Sequence, residues 1–386
     1  MNVQTKTNPI GIGVVGYGPM AQVHFRHLQI HPYFRSRVKV LAAFDPNPEI
    51  QTKIAGHGLQ APNTFEDFLN LPELDAIVIS SPPQFHAQQV IAGLEAGKHV
   101  FSEVPMALTK EDIDRIIAAE ERSPKVKYQY GENYCFFPEV LYAAHLVDTN
   151  KLGSVVYGES EYLHDVTYRW RQGQKGGPET PRVESWYSKF DPLAYAHSIG
   201  PAEIAMGGRK NPMEFVEVQS YANDIGAIEV PNSPPICAPS HAFHVALFKS
   251  ATGAVAKCAN AYVFAREPTR LIIQVTGELG TYECYKIGGS GQLFLADGHM
   301  IVHKHRAGVK RKIGRWQIAK ALPEKWTALQ GSNQLLMKNW IDAIITDTAP
   351  LLNAKVGANM CMAGIAAQQA ARTGKAVSIP EYRAKK

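Results

Sequence analysis

Along its first third the chain alternates short apolar runs with stretches whose apolar residues recur at helical spacing. Gly11–Val15, Val38–Phe44, Ala76–Ser80 and His99–Ser102 read as strands, and helices are expected near Met20–Ile30, Thr64–Asn70, His86–Ala96 and Lys110–Glu121. That alternation predicts a parallel, doubly wound sheet, with Lys125–Tyr130 adding one more strand. From about Gly131 the texture changes. A helix over Pro138–Thr149 precedes longer runs at Ser154–His164, Met213–Asn223, His241–Phe248, Ala254–Phe264, Arg270–Gly277 and Thr281–Ile287, where apolar and polar residues alternate. A period of two predicts mainly antiparallel strands with one face buried. Two closing helices are expected at Ser332–Thr346 and Lys355–Thr373, the second ending at Gly374 before an extended Ala376–Pro380. The pattern is that of an α/β chain with two domains: a doubly wound domain over residues 1–130, and an α+β domain over residues 131–386 built on a large, mainly antiparallel open sheet. The closing helices are expected to pack back on the first domain.

Size supports the division, because 386 residues exceed what one hydrophobic core usually organises. The formal charge of +5 is mild, and the basic cluster Lys304–Arg306, Lys310–Lys312 and Arg315 is broken by glycine and apolar residues. It reads as an exposed turn beside a strand, so no nucleic-acid partner is expected. Five widely spaced cysteines, Cys135, Cys237, Cys258, Cys284 and Cys361, show no metal-ligand or disulfide spacing and read as reduced, mostly buried thiols. The pairs His241 with His244 and His303 with His305 lack a completing ligand, so no metal is expected. Met1–Pro9 has no apolar signal core and no run is long enough to span a bilayer, which favours a cytoplasmic protein without a membrane partner.

The chemistry begins at Gly11–Ala21, where an apolar strand runs into Gly16-Tyr17-Gly18-Pro19-Met20-Ala21 and then a helix. Gly16 permits a tight turn, Gly18 lets the backbone approach a pyrophosphate, and Ala21 lets the helix sit near the strand. Pro19 and Met20 open a helix whose amides would face the anion. A dinucleotide is the expected guest. Asp45 stands at the tip of the second strand, where an acid accepts hydrogen bonds from the adenosine ribose hydroxyls and repels a 2′-phosphate. NAD is thus expected over NADP, although Asp45 before Pro46-Asn47-Pro48 also suits a simple turn.

Further marks coincide: Ser80-Ser81-Pro82-Pro83 with His86, Ala96-Gly97-Lys98-His99-Val100-Phe101-Ser102-Glu103-Val104-Pro105, Gly131-Glu132-Asn133-Tyr134, and the closing Gly374–Pro380. Together they resemble the glucose-fructose oxidoreductase, inositol dehydrogenase and rhizopine-catabolism (Gfo/Idh/MocA) family of oxidoreductases over essentially the full chain. The resemblance implies NAD(P) in an N-terminal Rossmann domain, a sugar or polyol substrate held by the C-terminal sheet, and a homo-oligomer formed through that sheet. It implies that Ser81, Pro82 and His86 lie beside the cofactor, that Glu103 and Pro105 lie near the nicotinamide and its ribose, and that Pro105 is a cis proline. This chain departs from the family at Val104, where Glu-Val-Pro replaces Glu-Lys-Pro and removes the lysine that would bond the reacting hydroxyl. It departs again at Leu193, which stands where the family's supporting Asp precedes His197 by four residues.

Oxidation of a secondary alcohol requires a base for the hydroxyl proton, and imidazole titrates near neutral pH. His197 is the candidate base, although a histidine among Ala194, Ala196 and Ile199 also fits a satisfied core residue. Tyr195 is a second candidate, able to polarise the nascent carbonyl or simply to pack. Glu103 is expected to fix the nicotinamide ring. Asn133 and Tyr134 follow the last strand of the first domain, at the strand ends that face ligand in such sheets, and suit ribose or substrate. His164, Tyr168, Trp170, Arg171 and Trp186 mix flat rings with hydrogen-bonding groups in a stretch too long for a connector, a combination that suits a sugar or glycoside as well as a loop's own small core. The expected activity is NAD-dependent oxidation of a ring secondary hydroxyl, at C3. The alternatives are an NAD-dependent glycosidase working through transient C3 oxidation, and a non-catalytic NAD(P)-binding regulator.

Overall fold

The computed structural model describes residues 9–164, 196–223, 227–228, 236–237, 243–261, 270–285, 291–295, 309–313 and 331–383. The chain divides into two compact units, Met1–Glu132 with Asn333–Ala358, and Asn133–Ser332 with Asn359–Lys386.

The first unit carries a five-stranded sheet of β1 (Ile10–Val15), β2 (Val38–Phe44), β3 (Ala76–Ile79), β4 (His99–Ser102) and β5 (Tyr128–Tyr130), ordered β2-β1-β3-β4-β5. Every pair is parallel. β1 and β3 are buried along their whole length, which explains why they read as unbroken apolar runs. Beyond β2 the sheet gains a single residue: Gln60 bridges Ala42 in parallel, donating to the Leu41 carbonyl and accepting from the Ala43 amide, both at 3.0 Å. Counted with that residue, the order is that of the doubly wound dinucleotide-binding fold, whose direction reverses between β1 and β3. Residues 333–358 complete this unit. Trp340, fully buried, packs with its ring 5.8 Å from that of Phe101 on β4, and the Tyr130 amide donates to the Leu352 carbonyl at 2.8 Å.

The second unit is built on a nine-stranded sheet. Its strands are β6 (Val155–Leu163), β7 (Phe215–Asn223), β10 (Phe243–Ser250), β11 (Val255–Ala261), β12 (Arg270–Gly277), β13 (Gly280–Cys284), β14 (Gly291–Leu295), β15 (Val309–Ile313) and β16 (Val377–Ser378). A small ribbon of β8 (Ala227–Ile228) and β9 (Ile236–Cys237) stands apart. The order is β15-β14-β13-β12-β6-β11-β10-β7-β16, and the β6–β11 pair is parallel within an otherwise antiparallel sheet. Helices Pro138–Asp148 and Ile199–Gly207 cover one face. The second lies so close that a Cβ on Gly158 of β6 would sit 2.3 Å from the Met206 sulfur. The Asn359 amide, buried in this unit, closes the edge of the core by accepting from the Phe215 N–H and donating to its carbonyl, each at 3.0 Å. The opposite face leaves Tyr221, Leu247 and Tyr285 exposed. No helix among the described residues is long and apolar enough to cross a membrane.

The sequence reading did not anticipate several elements. The helix Pro48–Gly56 buries a single side chain, Ile54, so its apolar stripe is too thin to register, although Asn47 caps it by accepting from the Glu49 amide at 2.9 Å. The helix Ile199–Gly207 is buried nearly all round and therefore has no polar face to reveal a period. The four-residue helix Pro32–Arg35 and the short strands β14 and β15 also went unread.

Candidate functional sites in the two units

In the first unit the turn after β1 is shaped by Gly16, whose φ is +77°. A Cβ there would lie 2.6 Å from the Ser81 Cα and 2.7 Å from its nitrogen, so only glycine lets the two loops meet. Gly18 is extended and begins the helix Pro19–Ile30 without a side-chain cap, and the first turn has no acidic residue. Its first amides are therefore left to an anion. Asp45 follows β2 and ties this turn to the start of the next helix: Oδ2 accepts from the Tyr17 amide and Oδ1 from the Asn47 amide, each at 3.0 Å. A carboxylate has about four lone-pair sites, so two remain for ribose hydroxyls. The Tyr17 ring is buried, and its hydroxyl reaches His57 Nδ1 at 2.9 Å; burial pushes the phenol pKa up.

The loops after β3 and β4 complete this region. Ser81 donates its hydroxyl to Gln89 at 2.5 Å, and Pro82 opens a single helical turn that leads to His86. His86 is fully buried, with Nε2 2.8 Å from the Ser81 carbonyl and Nδ1 2.8 Å from the Pro105 carbonyl. The Val104–Pro105 bond is cis. Glu103 bonds His24 Nε2 at 2.5 Å, and His24, buried on the helix Pro19–Ile30, lies edge-on to Phe101. Sequence reasoning missed His24, because its partner is 79 positions away and a histidine on an amphipathic helix carries no local signal. Among the residues expected to contact cofactor, Gly16, Gly18, Pro19, Met20, Asp45, Ser81, Pro82, His86, Glu103 and Pro105 lie in this unit, whereas Asn133 falls in the other, with its amide 3.4 Å from the Ser332 hydroxyl.

In the second unit four rings converge where β6 ends. Tyr134 lies 4.7 Å, centroid to centroid, from both Tyr162 and His197, and Tyr162 lies 4.8 Å from His197. The Tyr162 hydroxyl and His164 Nδ1 form a 2.5 Å hydrogen bond. His197 is half-buried and follows Ala196, which has φ +63°. An alanine in that left-handed region is strained, a state that persists only where the surroundings impose it. Sheet register adds two fully buried polar residues on the same face: Asn260 of β11 is the partner of Tyr162, and His244 of β10 is the partner of Asn260. Asn260 escaped the sequence reading and His244 entered it only as one half of a histidine pair, although polar residues at inward positions of an alternating strand are the signal that finds them. Tyr168, Trp170, Arg171, Trp186 and Tyr195 lie outside the described residues.

Residues 10–132 match the model of an oxidoreductase family described as having an NAD-binding Rossmann fold. A glycosyl hydrolase family 109 protein from Shewanella pealeana is 26% identical over 216 residues, which are 53% of this chain and 46% of that relative; the match thus spans about half the relative's length. Among solved structures, an oxidoreductase domain protein from Kribbella flavida aligns at TM-score 0.78 with 20% identity, over 97% of this chain and 100% of the other. A levoglucosan dehydrogenase in complex with NADH and L-sorbose aligns at TM-score 0.77 with 18% identity, over 97% and 99%. At these identities the structural likeness establishes the fold.

Proposed function

We propose that this chain, whose residues 10–132 belong to the Gfo/Idh/MocA oxidoreductases and form their NAD-binding Rossmann domain, oxidises a secondary hydroxyl of a sugar or glycoside, at C3. The observation that carries the reading is the ring cluster of the second unit, where His197 packs against the ring of Tyr162, whose hydroxyl is bonded to His164. NAD, when bound, supplies the hydride acceptor at its nicotinamide C4. His197 takes the hydroxyl proton as the carbinol carbon loses hydride, so that the alcohol becomes a ketone. Tyr162 and His164 offer a route for that proton in place of the lysine that Val104 lacks. Tyr195, in this reading, polarises the new carbonyl. Tyr134, His164, Tyr168, Trp170, Arg171 and Trp186 stack on the sugar face and bond its hydroxyls. Glu103, held by His24, fixes the nicotinamide end, and Asn133 bonds its ribose. The same reading includes self-association through the open face that exposes Tyr221, Leu247 and Tyr285.

A second reading is a glycosidase that oxidises C3 transiently, eliminates the aglycone, adds water and reduces the ketone again. It is favoured by the relative named glycosyl hydrolase family 109 protein. Incubation with glycosides and no added NAD separates the two. The dehydrogenase gives at most one keto-sugar and one NADH per bound cofactor, whereas release of free sugar over many turnovers supports the glycosidase. Absence of both products with every sugar and glycoside tried leaves the regulator.

Asp45→Ala is expected to narrow the preference for NADH over NADPH and also to weaken binding of both, because the Tyr17 and Asn47 amides lose their acceptor. Titration of both cofactors checks this. An equal loss for the two, with the ratio intact, would place the carboxylate away from the ribose.

A further inference from the structure

The loops that leave β1, β3 and β4 are tied to one another in a ring. The Gly16 turn abuts the Ser81 backbone, and the Ser80 amide donates to the Val15 carbonyl at 2.8 Å. The Ser81 carbonyl meets His86 Nε2, and His86 Nδ1 meets the Pro105 carbonyl. Glu103, in the same Glu-Val-Pro segment, holds His24 on the helix that starts at the glycine turn. The link at His86 has a property that the others lack. Both its partners are main-chain carbonyls, which only accept, and a neutral imidazole has one N–H and one lone pair. One proton serves one carbonyl, and at 2.8 Å the other nitrogen would set a lone pair against an oxygen. An imidazolium donates to both.

We propose that His86 is an imidazolium whenever a dinucleotide occupies the glycine turn, so that cofactor binding draws a proton into the first unit. The inference rests on the reading of that unit as the NAD site. In the free chain burial pushes the His86 pKa down, opposed by the bonds to Pro105 and Ser81 and by the charge of Glu103. Near neutral pH the ring is therefore mostly neutral, and one of the two carbonyls goes without its donor. A pyrophosphate arriving at Gly16 brings negative charge beside Ser81, which favours the cation and closes the clamp. The groups facing His86 leave this balance to Glu103. Ser81 and Gln89 are uncharged. The helix Lys110–Arg122 packed alongside forms its ion pair with the far end of the His86 helix, Arg122 to Glu95 at 2.7 Å. β3 brings apolar residues, and the histidine of β4, His99, stands at the opposite end of that strand.

The sign follows from linkage. The protonated form binds better, so affinity falls as pH rises, by about tenfold per unit between the free and the bound pKa of His86. The test is calorimetry of the parent with NADH in two buffers of different ionisation enthalpy, together with nitrogen NMR of histidine-labelled protein, free and bound. The expected result is a buffer-dependent heat equivalent to uptake of up to one proton, absent in His86→Gln, with both His86 nitrogens protonated in the complex. Glutamine has its donors on a single nitrogen, so it cannot span both carbonyls, and its amide takes up no proton. The parent's spectra decide the matter even if the variant folds poorly. Binding with a buffer-independent heat, or a His86 nitrogen that stays unprotonated in the complex, overturns the proposal and leaves the NAD reading standing. Absence of NADH binding overturns both.

Discussion

Gly16→Ala is expected to cost on the order of a hundredfold in NADH affinity. The residue sits at φ +77°, which an alanine adopts at a cost of roughly 1–2 kcal/mol. Its new Cβ would meet the Ser81 Cα and nitrogen at 2.6 and 2.7 Å. Those are backbone atoms, so no rotamer change relieves the contact, and the turn must move away from Ser81. A displacement of the turn takes the amides of Gly18, Met20 and Ala21 out of line with a bound pyrophosphate, and a total loss of about 3 kcal/mol corresponds to that hundredfold. Fluorescence titration with NADH, run beside thermal unfolding, separates lost binding from lost fold. A variant that binds NADH as the parent does would remove the glycine turn from the phosphate site.

His197→Ala is expected to slow hydride transfer by about 10²- to 10⁴-fold, the usual worth of a positioned general base. The first unit carries the Rossmann site, so NADH affinity is expected to stay within about twofold, and the loss to fall on the chemical step. Tyr162→Phe removes the hydroxyl from the 2.5 Å bond with His164 while keeping the ring that packs against Tyr134 and His197. Its loss is expected to be smaller and to come with a changed pH profile, because the proposed proton route through that hydroxyl is cut. Single-turnover reduction of NAD measures both. Unchanged rates in His197→Ala would show that the ring cluster binds without taking part in proton transfer.

The two units differ in how plainly the sequence announces them. β1 and β3 are central strands buried on both faces, so their apolar runs are continuous, and the glycine turn between β1 and its helix is a local motif. The second unit is legible as sheet because its strands alternate, yet its helix Ile199–Gly207 is hidden by being apolar on every side. Candidate residues follow the same logic. Gly16 and Asp45 stand out because turn and strand tip are defined by near neighbours in sequence. The bonds that order the region around them, His24 to Glu103 and His86 to Pro105, join distant segments and leave no periodic trace. Tyr162, Asn260 and His244 belong to three strands, so only the register brings them into one row.

The tethering of Asp45 bears on attempts to change cofactor preference. Because one carboxylate oxygen anchors the glycine turn and the other the start of the next helix, the residue is a hinge pin as well as a charge. Truncating the side chain, as in Asp45→Ala, removes both acceptors and loosens the very loop that an engineered NADP site would need intact. A successful redesign keeps an acceptor there, as Asp45→Asn or Asp45→Ser would, and recruits the positive partner from the exposed Pro46–Pro48 side instead.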